Sequence, residues 1–182
     1  MSDDGGPYRV RRVRAQEWEA VRQIRLASLC DPLAHLAFLD SYEAAVARPA
    51  EFWRERAARA AQGDEVAQYV VVDQDGRWVG SVTGLLEPAG SVDFEGRAVA
   101  RRQAHVVGVW LHPDHRGRGL IQRAIAAVVD WAGQQGAERA RLYVHADNAR
   151  ARAAYLKAGF APSGQVIAGT IGPEEELARP IG

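Results

Sequence analysis

The chain has 182 residues, 47% hydrophobic and 25% charged, which is enough apolar material for a sizeable core and unlike the composition of a disordered segment. Its 23 basic residues balance 23 acidic ones, so no net field draws it to nucleic acid or an anionic membrane, and neither is expected as a partner. The single cysteine, Cys30, excludes an internal disulfide and a cysteine zinc cluster, and with Lys157 as the only lysine there is no Gly-Lys-Ser/Thr phosphate loop.

Residues 1–7 read as a disordered N-terminal tail, acidic and without the basic opening and apolar stretch of a secretory leader; residues 8–182 read as one domain. The most apolar run, 124–132, is broken by Asp130 and falls far short of the roughly 20 residues that span a bilayer, so a cytoplasmic protein is expected. Residues 8–14 alternate as a strand, and 16–28 carry Trp18, Val21 and Ile24 at helical spacing, continued by Leu29. The pattern stays helical from 32 to 62 with a break at Arg48-Pro49, giving two helices or one bent helix. Runs 66–73 and 78–86 are rich in β-branched residues and joined by Asp73-Gln74-Asp75-Gly76, which is hairpin chemistry. After a polar connection, 104–111 alternates again, with His105, Val107, Val109 and Leu111 expected on one face and Val106 and Trp110 on the other. An amphipathic helix over 118–135, a short strand over 141–144, a helix over 148–158 stopped by Gly159, and one or two closing strands in 160–180 complete the chain. The order implies an α/β fold with a mixed sheet and packed helices.

The most informative stretch is Arg116-Gly117-Arg118-Gly119-Leu120-Ile121, where a strand turns through glycines into a helix. Glycines let backbone N–H groups crowd an anion, the helix N-terminus adds partial positive charge, and Arg116 and Arg118 add full charges, so a pyrophosphate is expected here. In isolation such a turn is more often a solvated surface feature. About thirty residues later stand Asn148, Ala151, Tyr155, Lys157, Gly159 and Phe160.

Together the two segments resemble the GNAT N-acetyltransferases, whose motifs are Arg/Gln-x-x-Gly-x-Gly/Ala and Asn-x-x-Ala-x-x-x-Tyr-x-Lys-x-Gly-Phe. Arg116 and Gly119 match the first motif, and Ile121 departs from its final Gly/Ala, which narrows the phosphate pocket or shifts the helix. The resemblance implies a mostly antiparallel sheet of six to seven strands, helices on both faces and a central splay that holds acetyl-CoA. It places the cofactor on Val109, Trp110, Leu111, Arg116, Gly117, Arg118, Gly119, Leu120, Ile121, Asn148 and Tyr155, with Tyr155 as the acid that protonates the leaving thiolate. A phenol with pKa about 10 is protonated at neutral pH, as that role requires.

The implied activity is transfer of an acetyl group from acetyl-CoA to a primary amine of a small molecule or a protein or peptide, by direct attack. Cys30 lies away from both motifs and is not expected to carry the acetyl group. Many relatives have a carboxylate at the start of the strand before the loop; His105 stands there, and with a pKa of about 6.5 it is suited to act as base. His145 or an ordered water are the alternatives, whereas His112 and His115 are expected in solvent. Acceptor contacts are implied for 33–42, with Asp40 inside it and Glu43 just past its end, and for 87–102. A non-catalytic acyl-CoA-binding sensor or scaffold is the rival reading, resting on Ile121 and the missing carboxylate. No metal is expected, and the oligomeric state stays open, a homodimer included.

Overall fold

A computed structural model describes residues 6–182; residues 1–5 of the expected tail lie outside the described residues. Seven strands form one sheet in the order β1-β2-β3-β4-β5-β7-β6. They are β1 Tyr8–Arg12, β2 Val66–Asp73, β3 Trp78–Glu87, β4 Gln103–Leu111, β5 Arg139–His145, β6 Ala161–Gly169 and β7 Gly172–Pro180. Among the described residues five α-helices accompany them: α1 Trp18–Leu29, α2 Tyr42–Ala47, α3 Ala50–Gln62, α4 Leu120–Gln134 and α5 Ala149–Lys157. The sheet is antiparallel except between β4 and β5. None of the described helices is long and apolar enough to cross a membrane.

The core divides by sheet face. The apolar stripe of α4, including Ala124, Ile125, Val128 and Trp131, packs with Val71, Val82, Val106 and Leu142. Burying a side chain such as Ile125 contributes about 1.5–3 kcal/mol, so this stripe anchors the helix and fixes where its N-terminus points. On the opposite face Val21 and Ile24 of α1 and Trp53 and Ala57 of α3 pack with Val70, Val72 and Trp110. The expected helical stretch at 32–62 is therefore interrupted twice. A 3-10 turn at Ala34–Leu36 precedes α2, and Pro49 caps α3 with extended backbone that leaves its missing N–H harmless.

Two features open the sheet at its centre. β4 and β5 pair only from Gln103 to His105 against Arg139 to Arg141, and beyond that point their ladder stops. Against β3, the steps from Ser81 to Thr83 correspond to those from Trp110 to Val107, so β4 carries one extra residue. That bulge falls at Gly108, whose φ of 61° is open to glycine and strained for other residues. It bends β4 and reverses its facing. Leu111 then joins Ala104 and Val106 under α4, while Trp110 sits in the core against α1 and α3. The expected shared face of His105, Val107, Val109 and Leu111 is thereby corrected, because strict alternation fails where a residue is inserted.

The tail forms a hairpin in which β7, not β6, pairs with β5, along Arg139 to His145. β6 is the sheet's exposed edge.

Candidate active site

Where β4 and β5 part, a cavity of about 510 Å³ crosses the sheet from α1 and α3 to α5 and β7. Its walls include His105, the Val107–Val109 segment of β4, Asn148 and Tyr155. The fold thus brings Tyr155, Asn148, His105 and Val109 to one space. Trp110 and Leu111 turn into the two cores, and the glycine turn lies outside the cavity walls.

At the glycine turn, Gly117 and Gly119 have φ of 76° and 72°, and a Cβ on either would meet no atom within 4 Å. Glycine is required there by backbone conformation, and the space beside it is open to a ligand. Gly119 is the N-cap of α4 and supplies no side-chain cap, and the first turn of the helix carries no acidic residue. The first N–H groups of α4 are consequently left to an outside acceptor, and an anion suits them.

The arginines of this turn are spent differently than expected. Arg116 donates through Nε to the Leu111 carbonyl at 2.9 Å and through Nη2 to Asp31 Oδ2 at 2.5 Å. Arg118 donates to the Tyr8 hydroxyl oxygen at 2.8 Å, and that hydroxyl shares a 2.9 Å hydrogen bond with His115 Nδ1. Both guanidinium groups brace the turn, so the anion-binding capacity of this turn comes chiefly from its backbone. His115, expected in solvent, is half-buried in this chain of bonds, while His112 is exposed. Ile121 points into the core under α4, 8% exposed, so its side chain does not narrow the phosphate side of the turn.

Asp31 was not foreseen. Its carboxylate is 3% exposed, accepts from Trp110 Nε1 at 3.1 Å and stands 3.6 Å from Arg150, so one residue touches both sequence motifs. Cys30, its neighbour and the exposed C-cap of α1, is therefore close in space to the motif residues, though it does not line the cavity. An acidic residue directly after a predicted helix was the available signal; its partners lie 79 and 85 residues away and are invisible to local pattern.

Tyr155 is 9% exposed, and burial pushes its phenol well above the ordinary tyrosine value, Arg150 opposing only in part. It stays protonated across the physiological range. Asn148 caps α5, its Oδ1 accepting the Ala151 N–H at 3.2 Å, so its side-chain acceptor is already used.

His105 is buried against a network of charges that composition did not reveal. Its ring stacks on Phe94 at 5.0 Å between centroids, and its Nδ1 stands 3.5 Å from Glu87 Oε1 without an aligned hydrogen bond. Burial lowers the His105 pKa; Glu87 and Asp93 oppose this and Arg141 adds to it. Arg141, 1% exposed, bonds both Glu87 oxygens at 2.6 and 2.8 Å and Asp93 Oδ2 at 3.0 Å. Burial alone would raise the Glu87 carboxyl, but His105 and Arg141 outweigh it and hold it at about 2. Asp93 also accepts from the Tyr143 hydroxyl and from the N–H groups of Glu95 and Arg97, which fixes the loop that delivers Phe94.

His145, considered as an alternative base, is not on the cavity wall. Its Nδ1 accepts the Asp147 N–H at 3.1 Å, and its Nε2 packs against Gly172, where a Cβ would come within 2.6 Å. Both expected acceptor segments contribute to the cavity, through Leu36–Leu39 and Phe94. Within the first, Asp40 is committed to Arg48 at 2.6 Å and to Arg25 at 3.8 Å, and Glu43 is exposed on α2 away from the cavity. Glu174 of β7 also lines the space, with no hydrogen bond or ion pair among the described residues, and its Oε2 packs against Gly169 of β6. Burial and Glu95 raise its pKa, with His145 opposing.

A model of the acetyltransferase (GNAT) family matches residues 30–160. A mycothiol acetyltransferase of Saccharomonospora viridis is 38% identical over 92 residues, covering 50% of this chain and 29% of that protein. The chain therefore spans under a third of that curated relative's length. Among solved structures, the acetyltransferase of GNAT family from Streptococcus pneumoniae superposes with a TM-score of 0.74 at 16% identity, over 96% of this chain and 99% of the other. A phosphinothricin acetyltransferase from Sinorhizobium meliloti, in complex with AcCoA, gives 0.72 at 16% identity over 97% and 90%. These likenesses identify the mixed sheet, mostly antiparallel, with helices on both faces.

Proposed function

The chain belongs to the acetyltransferase (GNAT) family, and from that premise we propose that it moves the acetyl group of acetyl-CoA to a primary amine by direct attack. The observation that carries this is the meeting of Tyr155 with the unpaired stretch of β4 in one cavity, beside an uncapped α4 whose first N–H groups can hold a pyrophosphate.

Acetyl-CoA supplies the activated thioester. The backbone N–H groups from Gly117 to Ile121 hold its pyrophosphate, and the main chain of Val109, which finds no ladder partner on β5, hydrogen-bonds the pantetheine arm. Tyr155 donates its phenolic proton to the departing sulfur, a role that suits a buried phenol kept protonated. His105, neutral because burial lowers its pKa, accepts the proton lost by the amine, directly or through water.

The sensor reading loses its two supports. Ile121 faces the core, and carboxylates absent from the strand start are present in space as Glu87 beside His105 and Glu174 on the cavity wall. Thiol release from acetyl-CoA in the presence of a panel of amines tests the proposal. Amine-dependent release is the expected result; tight binding of acetyl-CoA without release by any amine would favour the sensor.

A further inference from the structure

The helical wall of the cavity concentrates positive charge that the protein itself leaves partly unmatched. Arg25 of α1 and Arg56 of α3 line the cavity, with Arg59 at its rim, and Arg48 lies close enough to act on both. The carboxylate placed among them is Asp40, which Arg48 engages at 2.6 and 3.1 Å and Arg25 only at 3.8 Å. Arg56 has no hydrogen bond or ion pair among the described residues, and the buried Nε of Arg25 has no partner. Glu55 also lines this end but is exposed, so solvent screens its charge. Half-buried guanidinium groups crowded around one carboxylate gain from a further anion, which they bind with charge-assisted and often bidentate hydrogen bonds. The crowding is felt at Arg25, which burial, and then Arg56, bring down to about 10.

The wall formed by α5 and β7 carries the opposite charge: Glu174, which lines the cavity as Tyr155 does and has no hydrogen bond or ion pair among the described residues. A ligand spanning the cavity thus meets Glu174 on the wall that also holds Tyr155 and guanidinium groups on the helical wall. A volume of about 510 Å³ suits a small molecule, not a folded surface.

We propose that the acceptor is a small zwitterion, an amine that also bears a carboxylate or similar anionic group, with its ammonium at Glu174 and its anion held by Arg25 and Arg56. This deepens the transferase reading and rests on it. Glu174 is the group that draws the ammonium in, and the two arginines set which amines are accepted.

Matched amines test it: phenylalanine, phenylalanine amide and phenethylamine, followed by thiol release from acetyl-CoA in wild type, Arg56→Gln and Arg25→Gln. The carboxylate member is expected to show kcat/KM at least tenfold above the other two, through KM, and Arg56→Gln should erase that preference by raising the KM of the carboxylate member to that of the other two, with acetyl-CoA affinity unchanged. In parallel, N-acetylphenylalanine and N-acetylphenethylamine are titrated calorimetrically into CoA-saturated wild type and Arg56→Gln; the carboxylate is expected to bind at least tenfold tighter, in wild type alone. If the carboxylate is preferred in binding yet no amine is turned over, the transferase reading fails, and of this inference only the anion site at Arg25 and Arg56 stands. No carboxylate preference in either arm, a preference for spermidine over all three amines, or a loss of acetyl-CoA affinity in Arg56→Gln matching the loss of amine affinity would overturn it.

Discussion

The carboxylate of Asp31, just past α1, meets the guanidinium of Arg116 in the glycine turn at 2.5 Å, across 85 residues of sequence. The pair ties the first helix to the turn ahead of α4, and Arg150 of α5 approaches the same carboxylate at 3.6 Å. Asp31→Asn keeps an acceptor for the Leu33 N–H, which now bonds Oδ1 at 3.0 Å, and removes the charge. A buried charge-assisted bond is worth about 1.5–3 kcal/mol, and a stability loss of that order is expected by urea unfolding. Acetyl-CoA affinity should move by less than about threefold, because freeing two arginines for the anion offsets a looser turn, each effect worth under about 1 kcal/mol at exposed positions. An unchanged unfolding midpoint would mean that the pair braces nothing.

Gly119 separates conformational need from ligand contact. An L-residue at φ 72° costs about 1–2 kcal/mol, but no atom lies within 4 Å of an added Cβ, so Gly119→Ala and Gly119→Trp should both fold. The tryptophan fills the space over the first N–H groups of α4 and should weaken acetyl-CoA at least tenfold by calorimetry. Unchanged affinity in folded Gly119→Trp would refute the pyrophosphate placement.

Loss of the phenol in Tyr155→Phe removes a proton donor and little packing. A fall in kcat of about 10²-fold is expected from the size of general acid catalysis, with acetyl-CoA affinity held within twofold. A rate within twofold of wild type would take the acid role from Tyr155.

The path from sequence to site was legible where one local signal carried it. Gly119 before the α4 stripe, and Asn148 seven residues before Tyr155, each encode a turn or cap that local physics forces, and both lie where expected. Single-strand alternation could not reveal the bulge at Gly108, because an inserted residue shows only against the partner β3. Arg141 read as an ordinary strand residue; its burial depends on Glu87 from β3 and Asp93 from the following loop, brought together only by the sheet order. Asp31, Glu174 and Arg56 escape for the same reason: a carboxylate or guanidinium on a helix or strand is usually solvated, and tertiary placement alone makes these otherwise.

Acid should destabilise the protein through the Arg141 network. Glu87 falls from 4.5 to about 2 in the folded state, and the Asp31 and Asp93 carboxyls are lowered as well. With folded pKa values below unfolded ones, the native state binds fewer protons, so these groups stabilise above about pH 4.5 and lose that contribution as pH falls towards 2. Glu174, raised by burial, works in the opposite direction on its own. Glu87→Gln leaves Arg141 with less negative charge around it and should cost about 3 kcal/mol at pH 7, the size expected for breaking a buried pair. Unfolding curves of wild type and variant should then converge between pH 4.5 and 2. Curves that stay parallel over that window would remove Glu87 as the source.

The pH profile of turnover tests the base. His105 has its pKa lowered from 6.5 by burial, with Glu87 and Asp93 raising it, Arg141 lowering it, and Phe94 and Tyr143 covering its ring. It is therefore already neutral at pH 7, and a proton-accepting role must show itself on the acid side, as a limb of kcat/KM rising through a pKa under 6.5. Above pH 7 the rate should keep climbing for a separate reason: an alkyl amine with pKa about 10 exposes more free base at each step, whichever group accepts the proton. His105→Gln should lose the acid limb, lower the rate about 10²-fold near neutrality, and keep the upper climb with partial recovery at high pH. If the acid limb survives in His105→Gln and vanishes in Glu174→Gln, the proton goes to the carboxylate of β7. Glu174 is raised above 4.5 and lines the same cavity, so its limb would also lie on the acid side, and the two variants together separate the histidine from the glutamate.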